Sequence, residues 1–486
     1  MSRAEHPLIQ ADWCDAGCVA IDMLSDDVLL HIFDLCRRGA DVSQCRHTWP
    51  WHRLMHVCRR WRQAVHESPL RLDVQLVCKG NTQVKEYLDA FPALPIVISY
   101  LVDITWPDPR IDQGDNVTVA LGHHNRVCQI HLDGLTSSLL GRLATAMHEP
   151  FPVLRHLLLE SSSETPPVLP DGFLGGSTPS LRSLDLEGIP FPALARLVIS
   201  AHNLVSLRLW SIPNTGYVSP ETMANALSTL ANLRYLVIGF QSPHPCPDRK
   251  SRRPPSLIRI ALPALTELKF KGVSEYLECF VSRIYAPLLE DLDIKFFNQL
   301  NFDTPQLPQF VGHAEALKSP DRAQVFFTKH DITIILQGAS GPGRLTLEIS
   351  CELSDWQLSA VAQVCSQLSR LVSIVGQLDI SGDLSWPPVW QDDVDSLQWL
   401  ELLHPFTSVE TMRISTKTWP LVVPALKEIT EGGTEILPVL RHLSLHVDTL
   451  SSPVQEAVEP LVAARQLSGH PVTIGHWDRE RYWSQV

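Results

Sequence analysis

The chain has 486 residues, of which 44% are apolar and 19% charged, so it is too long for one ordinary core and too apolar for an unfolded chain. Its net charge of −13 argues against unaided binding to nucleic acid or an anionic membrane, since both partners would carry the same sign. The 11 cysteines are scattered, with no Cys-x-x-Cys pair, which excludes a disulfide framework and fits reduced thiols in a cytoplasmic or nuclear protein.

Residues 1–20 read as an N-terminal tail with acidic residues and no apolar run of signal-peptide length. The most apolar stretch, Leu94 to Val102, is about half as long as a membrane helix needs to be. A soluble protein without a membrane partner is expected.

The first element predicted is a helix opening at Ser25. The Ser25 hydroxyl suits an N-cap, and Asp26 and Asp27 fall in the first turn, where the helix dipole favours negative charge. Leu29, Ile32, Phe33 and Cys36 follow at helical spacing, and Gly39 suits the stop. A second helix is expected from about Trp51 to Val65, with Leu54, Val57, Cys58, Trp61 and Val65 on one face and Arg59, Arg60 and Arg62 off it. Two helices of this size have little core of their own. They read either as a cap on the following region or as a module that buries its stripe against another protein.

The segments Leu24-Ser25-Asp26-Asp27-Val28-Leu29-Leu30-His31-Ile32-Phe33-Asp34-Leu35 and Val57-Cys58-Arg59-Arg60-Trp61-Arg62 resemble the F-box. That resemblance implies docking on a Skp1-like adaptor, and through it on a cullin-based ubiquitin ligase. Leu24, Leu29, Ile32, Phe33, Leu35, Val57 and Trp61 would then form or support the Skp1-binding surface. Three features depart from the family pattern: Ser25 replaces a proline, Arg71 stands where a tryptophan is usual, and residues 39–53 make a long inter-helix loop.

Past a region at 71–126 that reads as connecting residues or first irregular repeats, a phrase Leu-x-x-Leu-x-Leu recurs. Copies begin at Val127, Leu154, Leu181, Leu204, Leu233, Leu265 and Leu289, and again at Val375, Val409 and Leu440. A spacing of roughly 20–30 residues is the leucine-rich-repeat signature, in which each phrase forms a short strand and stacked strands bury their leucines jointly. The fold class expected is therefore α/β: a small helical module at 21–70, then an irregular solenoid with a curved parallel sheet. Repeats are expected at 127–297, an irregular insertion at 298–350 with a strand-like run at Ile332–Leu336, and further repeats with a cap at 351–486. Ile189, Ile212, Val273 and Phe297 stand where such repeats usually carry Asn or Cys, so no continuous Asn ladder is expected. Glu221–Thr229 and Trp356–Leu368 read as helices, with Ser219 and Ser354-Asp355 as caps.

Arg155, Arg182, Arg208, Arg234 and Lys269 fall at x positions of the phrase, making them candidates for a face that binds a protein target. The Pro-rich basic run at 241–256 reads as an exposed loop, a nuclear signal or a dock for an acidic partner. Over nearly its whole length the chain is similar to large fungal F-box proteins with degenerate leucine-rich repeats. The matching text includes Phe302-Asp303-Thr304-Pro305, Asp355-Trp356-Gln357-Leu358, Gln391-Asp392-Asp393, Gln398-Trp399-Leu400-Glu401 and Val462-Ala463-Ala464-Arg465. This resemblance implies a substrate receptor without naming the target.

No motif calls for catalysis, a cofactor or a metal. His52 and His56 have a zinc-protease spacing but lack the intervening Glu, and His123-His124 has no clustered ligands. Gly338 to Gly343 lacks the Gly-Lys-Ser/Thr of a phosphate loop and reads as a turn. Cys58 is flanked by arginines but lies on the apolar stripe, so it reads as a core or interface residue. The chain is expected to be a non-enzymatic adaptor, or alternatively a repeat-based scaffold without ligase coupling.

Overall fold

The computed structural model describes residues 21–39, 52–68, 75–79, 84–91, 93–101, 113–243, 259–299, 301–338, 341–352, 355–382, 396–415 and parts of 418–477. The strands, in chain order, are β1 (Leu76–Lys79), β2 (Ile96–Leu101), β3 (Val127–Leu135), β4 (His156–Ser161), β5 (Ser183–Glu187), β6 (Ser206–Ile212), β7 (Tyr235–Phe240), β8 (Ile260–Ala261), β9 (Glu267–Gly272), β10 (Ile284–Tyr285), β11 (Asp291–Phe296), β12 (Arg322–Phe327), β13 (Asp331–Gln337), β14 (Arg344–Ser350), β15 (Gln377–Gly382), β16 (Thr411–Ile414), β17 (His442–His446) and β18 (Thr473–Trp477). Sixteen of them form one sheet in the order β1-β2-β3-β4-β5-β6-β7-β9-β11-β14-β13-β12-β15-β16-β17-β18, while β8 and β10 pair separately.

The phrase explains the register. Leu157, Leu184, Leu207, Leu236, Leu268 and Leu292 align across parallel neighbours, and Leu159, Leu186, Leu209, Ile238, Phe270 and Ile294 make a second row. These side chains point to one side because successive residues of a strand alternate faces, and all are nearly fully buried in a single continuous core. Helices Ser137–Ala146, Leu194–Ser200, Pro220–Leu227, Ser274–Val281 and Asp355–Gln367 cover that side and add Leu143, Leu197, Leu227, Phe280 and Val361 to it. Ser219 caps its helix by accepting the Thr222 N–H at 3.2 Å. The architecture is a mixed α/β stack with a long, mostly parallel sheet, and the repeated unit stacks without an Asn ladder. At the expected Asn position Ile189 and Ile212 are buried and Val273 and Phe297 pack against the core.

The sheet starts at β1 and β2, inside the region 71–126 expected to hold connecting residues or first irregular repeats. Two expectations need correction. The stretch 298–350, expected as an irregular insertion, is part of the sheet: β14 pairs parallel with β11, β13 runs antiparallel between β14 and β12, and β12 pairs parallel with β15. Its strands bury Ala323, Val325, Phe327, Ile332, Ile334 and Leu336 by simple alternation, so the solenoid passes through this region with one reversed strand and no leucine phrase. The Gly338 N–H reaches the Gly343 carbonyl at 3.4 Å and closes the β13–β14 turn.

The second correction concerns the N-terminal helices, α1 (Asp26–Gly39), α2 (His52–Met55) and α3 (Arg59–Glu67). The single run expected from Trp51 to Val65 is broken at Cys58, whose extended backbone (φ −156°, ψ 173°) makes it the N-cap of α3. Its sulfur accepts the Trp61 N–H at 3.5 Å. Residues 40–51 and 244–258, which cover most of the long inter-helix loop and of the basic Pro-rich run, lie outside the described residues, as do Arg71 and the Ser354 cap.

Because each leucine row is shared between neighbours, removing one side chain from the middle of the array opens a cavity that flanking repeats line on both sides. Leu236→Ala is expected to lower the unfolding free energy by about 3 kcal/mol, measured by urea denaturation of the full chain.

Candidate functional site

Two surfaces stand out, one on each part of the chain. On α1 the apolar residues divide between two faces. Leu29 and Phe33 are sealed in the chain's own core with Ala64 and Val65 of α3, and the Phe33 and Trp61 rings meet edge to face at 4.7 Å. Arg60 ties α3 to the start of α1 through Asp26 at 2.8 Å and the Leu24 carbonyl. Arg62 donates to the Met55 carbonyl at 3.0 Å and holds α2 to α3. Ser25 Oγ lies 3.5 Å from the Val28 N–H it was expected to cap.

Leu29 and Phe33 thus hold the module together and offer no contact surface themselves. Leu24, Ile32 and Trp61 are half-buried, while Leu35 is 53% and Val57 58% exposed. Val28, Ile32 and Leu35 are spaced as i, i+4 and i+7, which puts them on one stripe of α1 turned away from the core. Val28, together with Ile21 and Met23 just upstream, is also exposed and was not singled out from the sequence.

The second surface is the sheet face opposite the helices. The five basic residues expected there do not occupy equivalent places. Arg155, Arg182 and Arg234 precede their strands and sit exposed along the sheet's edge. Their backbone N–H groups donate to Cys128, Arg155 and Val205 carbonyls of the preceding repeat, each at 2.8 Å. Arg208 and Lys269 lie within the face. Arg208 is engaged by Asp185 at 3.0 Å and Glu187 at 2.7 Å, so its charge is met by carboxylates of this chain. Burial raises the Asp185 pKa from its ordinary value despite Arg208.

Alternation along neighbouring strands brings further residues onto this face. The β6–β7 register slips between Leu209 and Ile212, and Ser211 there adopts φ 52°, a left-handed conformation uncommon for serine. The Trp210 ring lies across Gly239 of β7, where a Cβ would meet the ring's Cε3 at 2.5 Å, so only glycine leaves room. The same ring has Arg208 Cζ 5.9 Å and Lys271 Nζ 5.7 Å from its centroid. Lys271 Nζ also stands 5.6 Å from the Phe297 ring, and Lys269 Nζ 5.9 Å from that of Tyr235. Burial, then the neighbouring Lys295, lower the Lys271 pKa. Lys295 pairs with Glu348, and lies 3.6 Å from Asp331.

Beside this cationic and aromatic group lies an acidic one. Burial raises the Glu160 pKa, and Asp133 and Glu187 push it further in the same direction. Gly134, next to Asp133, takes φ 69° where the β3–β4 register also slips. The outward parity of Trp210, Lys271 and Glu160 within their phrases was readable, but their juxtaposition depends on strand order and the bulges.

No family model matches the chain, and the search of curated proteins returns no match. Among solved structures the chain is similar to a leucine-rich repeat-containing protein, LegL7 from Legionella pneumophila, at 13% identity and a TM-score of 0.27, covering 71% of this chain and 92% of that one. Likeness at that level carries no functional weight.

The raised Glu160 pKa has a sign. The folded state holds that proton more tightly than the unfolded one, so the carboxyl is neutral-favouring and stability falls as pH rises through the folded pKa. Glu160→Gln is expected to raise the melting temperature at pH 7 and leave it unchanged near pH 3. The gain should stay under about 1 kcal/mol, because the site is open to solvent screening. Thermal unfolding at the two pH values checks this.

Proposed function

We propose that the chain is a repeat-based protein-binding scaffold whose open sheet face takes the partner. One observation carries the reading. Parallel sheets are normally covered on both faces. Here helices cover one side, while the other carries half-exposed charged and aromatic side chains across β4, β5, β6, β7, β9 and β11. Extended faces of this kind are how stacked repeats engage proteins. The test is cross-linking of the full chain to proteins it captures, with the cross-links mapped by mass spectrometry. Links concentrated on the outward residues of β4 to β11 are expected. Links confined to the helical side would overturn the reading.

A second reading adds ligase coupling: the N-terminal helices dock on a Skp1-like adaptor and present the captured protein for ubiquitination. Its support is the stripe of exposed Val28 and Leu35 with half-buried Ile32, together with exposed Val57, apolar surface of the kind that marks protein contacts. Coupling of this type needs no nucleophile in this chain, because it works by raising the target's effective concentration near the ubiquitin donor. A double variant, Leu35→Asp with Val57→Asp, removes only exposed side chains. It is expected to abolish co-purification with a Skp1-like adaptor while leaving the thermal melt unchanged; equal recovery of the adaptor by wild type and variant would reject the coupling.

A further inference from the structure

The sheet face reading leaves open what chemistry the partner brings, and the charges on the face narrow it. Two of its central cations are already satisfied internally: Arg208 by Asp185 and Glu187, and Lys295 by Glu348. Lys271 differs. Among the described residues no carboxylate stands within 4.0 Å of its ammonium, which lies half-buried between the Trp210 and Phe297 rings, repelled by Lys295 more than it is attracted by Glu348. A partly desolvated cation between two aromatic rings favours an incoming anion, and the ring faces supply apolar contact for whatever carries it. The indole is held in this place at a local backbone expense: a left-handed Ser211 and a glycine beneath the ring.

We propose, building on the scaffold reading, that the surface made by Trp210, Tyr235, Lys269, Lys271 and Phe297 docks an acidic peptide segment of a partner protein. A partner carboxylate pairs with Lys271 and the adjoining apolar atoms lie on the Trp210 and Phe297 rings. Single-stranded nucleic acid also uses cations and aromatic platforms. A polyphosphate backbone would, however, meet Glu187, Asp293 and Glu348 on the neighbouring positions of the same face, on a chain of net charge −13. A discrete carboxylate avoids that repulsion. Within the acidic group, Glu160 on β4 lies four strand spacings from β9. That is roughly 19 Å, the span of about six extended residues. A basic residue that far from the acidic one would complete the match.

The test uses the full chain and three fluorescent probes: a short peptide of Asp, Gly and Leu, its counterpart with Lys in place of Asp, and an oligothymidylate of matching length. The acidic peptide is expected to bind in a salt-sensitive way and to lose about tenfold in affinity with Lys271→Met and more with Lys271→Glu. Lys318→Glu, at an exposed lysine paired with Glu315, should change nothing. Carbodiimide coupling of the acidic peptide to the unmodified protein gives a readout independent of variant folding, and the new amide is expected at Lys271 or Lys269. No binding of the acidic peptide, coupling only at other lysines, or tighter binding of the oligothymidylate would overturn the proposal. If partner cross-links still map to the open face in that event, the scaffold reading survives and only the acidic chemistry fails.

Discussion

The structure depends on one shared interaction: leucines of adjacent strands packing in register against each other. A single Leu-x-x-Leu-x-Leu phrase has inward side chains that its own repeat has too few partners to bury. Leu207 is sealed because Leu184 and Leu236 flank it in the same row, and so on from β4 to β11. The hydrophobic gain is therefore collective, and each strand's position is fixed by those on either side. A sheet built this way keeps its register over a long distance, since a slip of one residue would turn every leucine outward.

That rigidity is what gives the opposite face its meaning. With the leucines committed inward, every second residue must point out, and its neighbours across the ladder are set by the same register. The Trp210–Lys271 contact spans β6 to β9 and exists because β7 between them carries glycine at the crossing point. Charges that share the face are largely paired off among themselves, Arg208 with two carboxylates and Lys295 with Glu348. The N-terminal helices follow a different logic. Their inner stripe, Leu29 and Phe33, is spent on folding, and their outer stripe, Val28, Ile32 and Leu35, remains available to another protein.

Much of this was legible in the sequence where the hydrophobic pattern was strong. Every Leu-rich phrase corresponds to a strand, and Ser25 and Ser219 stand at helix starts. The failures share a cause. Strands β12 to β14 bury Ala323, Phe327 and Ile332 by plain alternation, a short-range signal that says nothing about the direction of pairing, so an antiparallel excursion inside a parallel array left no trace in the phrase count. The break at Cys58 was hidden because Val57, Cys58 and Trp61 keep helical spacing even though the backbone between them is extended. The pairing of Arg208 was illegible for a related reason. Position on a strand shows that a charge faces outward, but not that Asp185 and Glu187 one strand away already meet it.

Native-state hydrogen exchange tests the shared-core account most directly. Amides of β5, β6, β7, β9 and β11 should open together with one free energy, and Leu268→Ala in β9 should lower protection in β7 and β11 as much as in β9 itself. A loss of protection confined to β9, with its neighbours unchanged, would contradict it and show that the repeats are stable one by one.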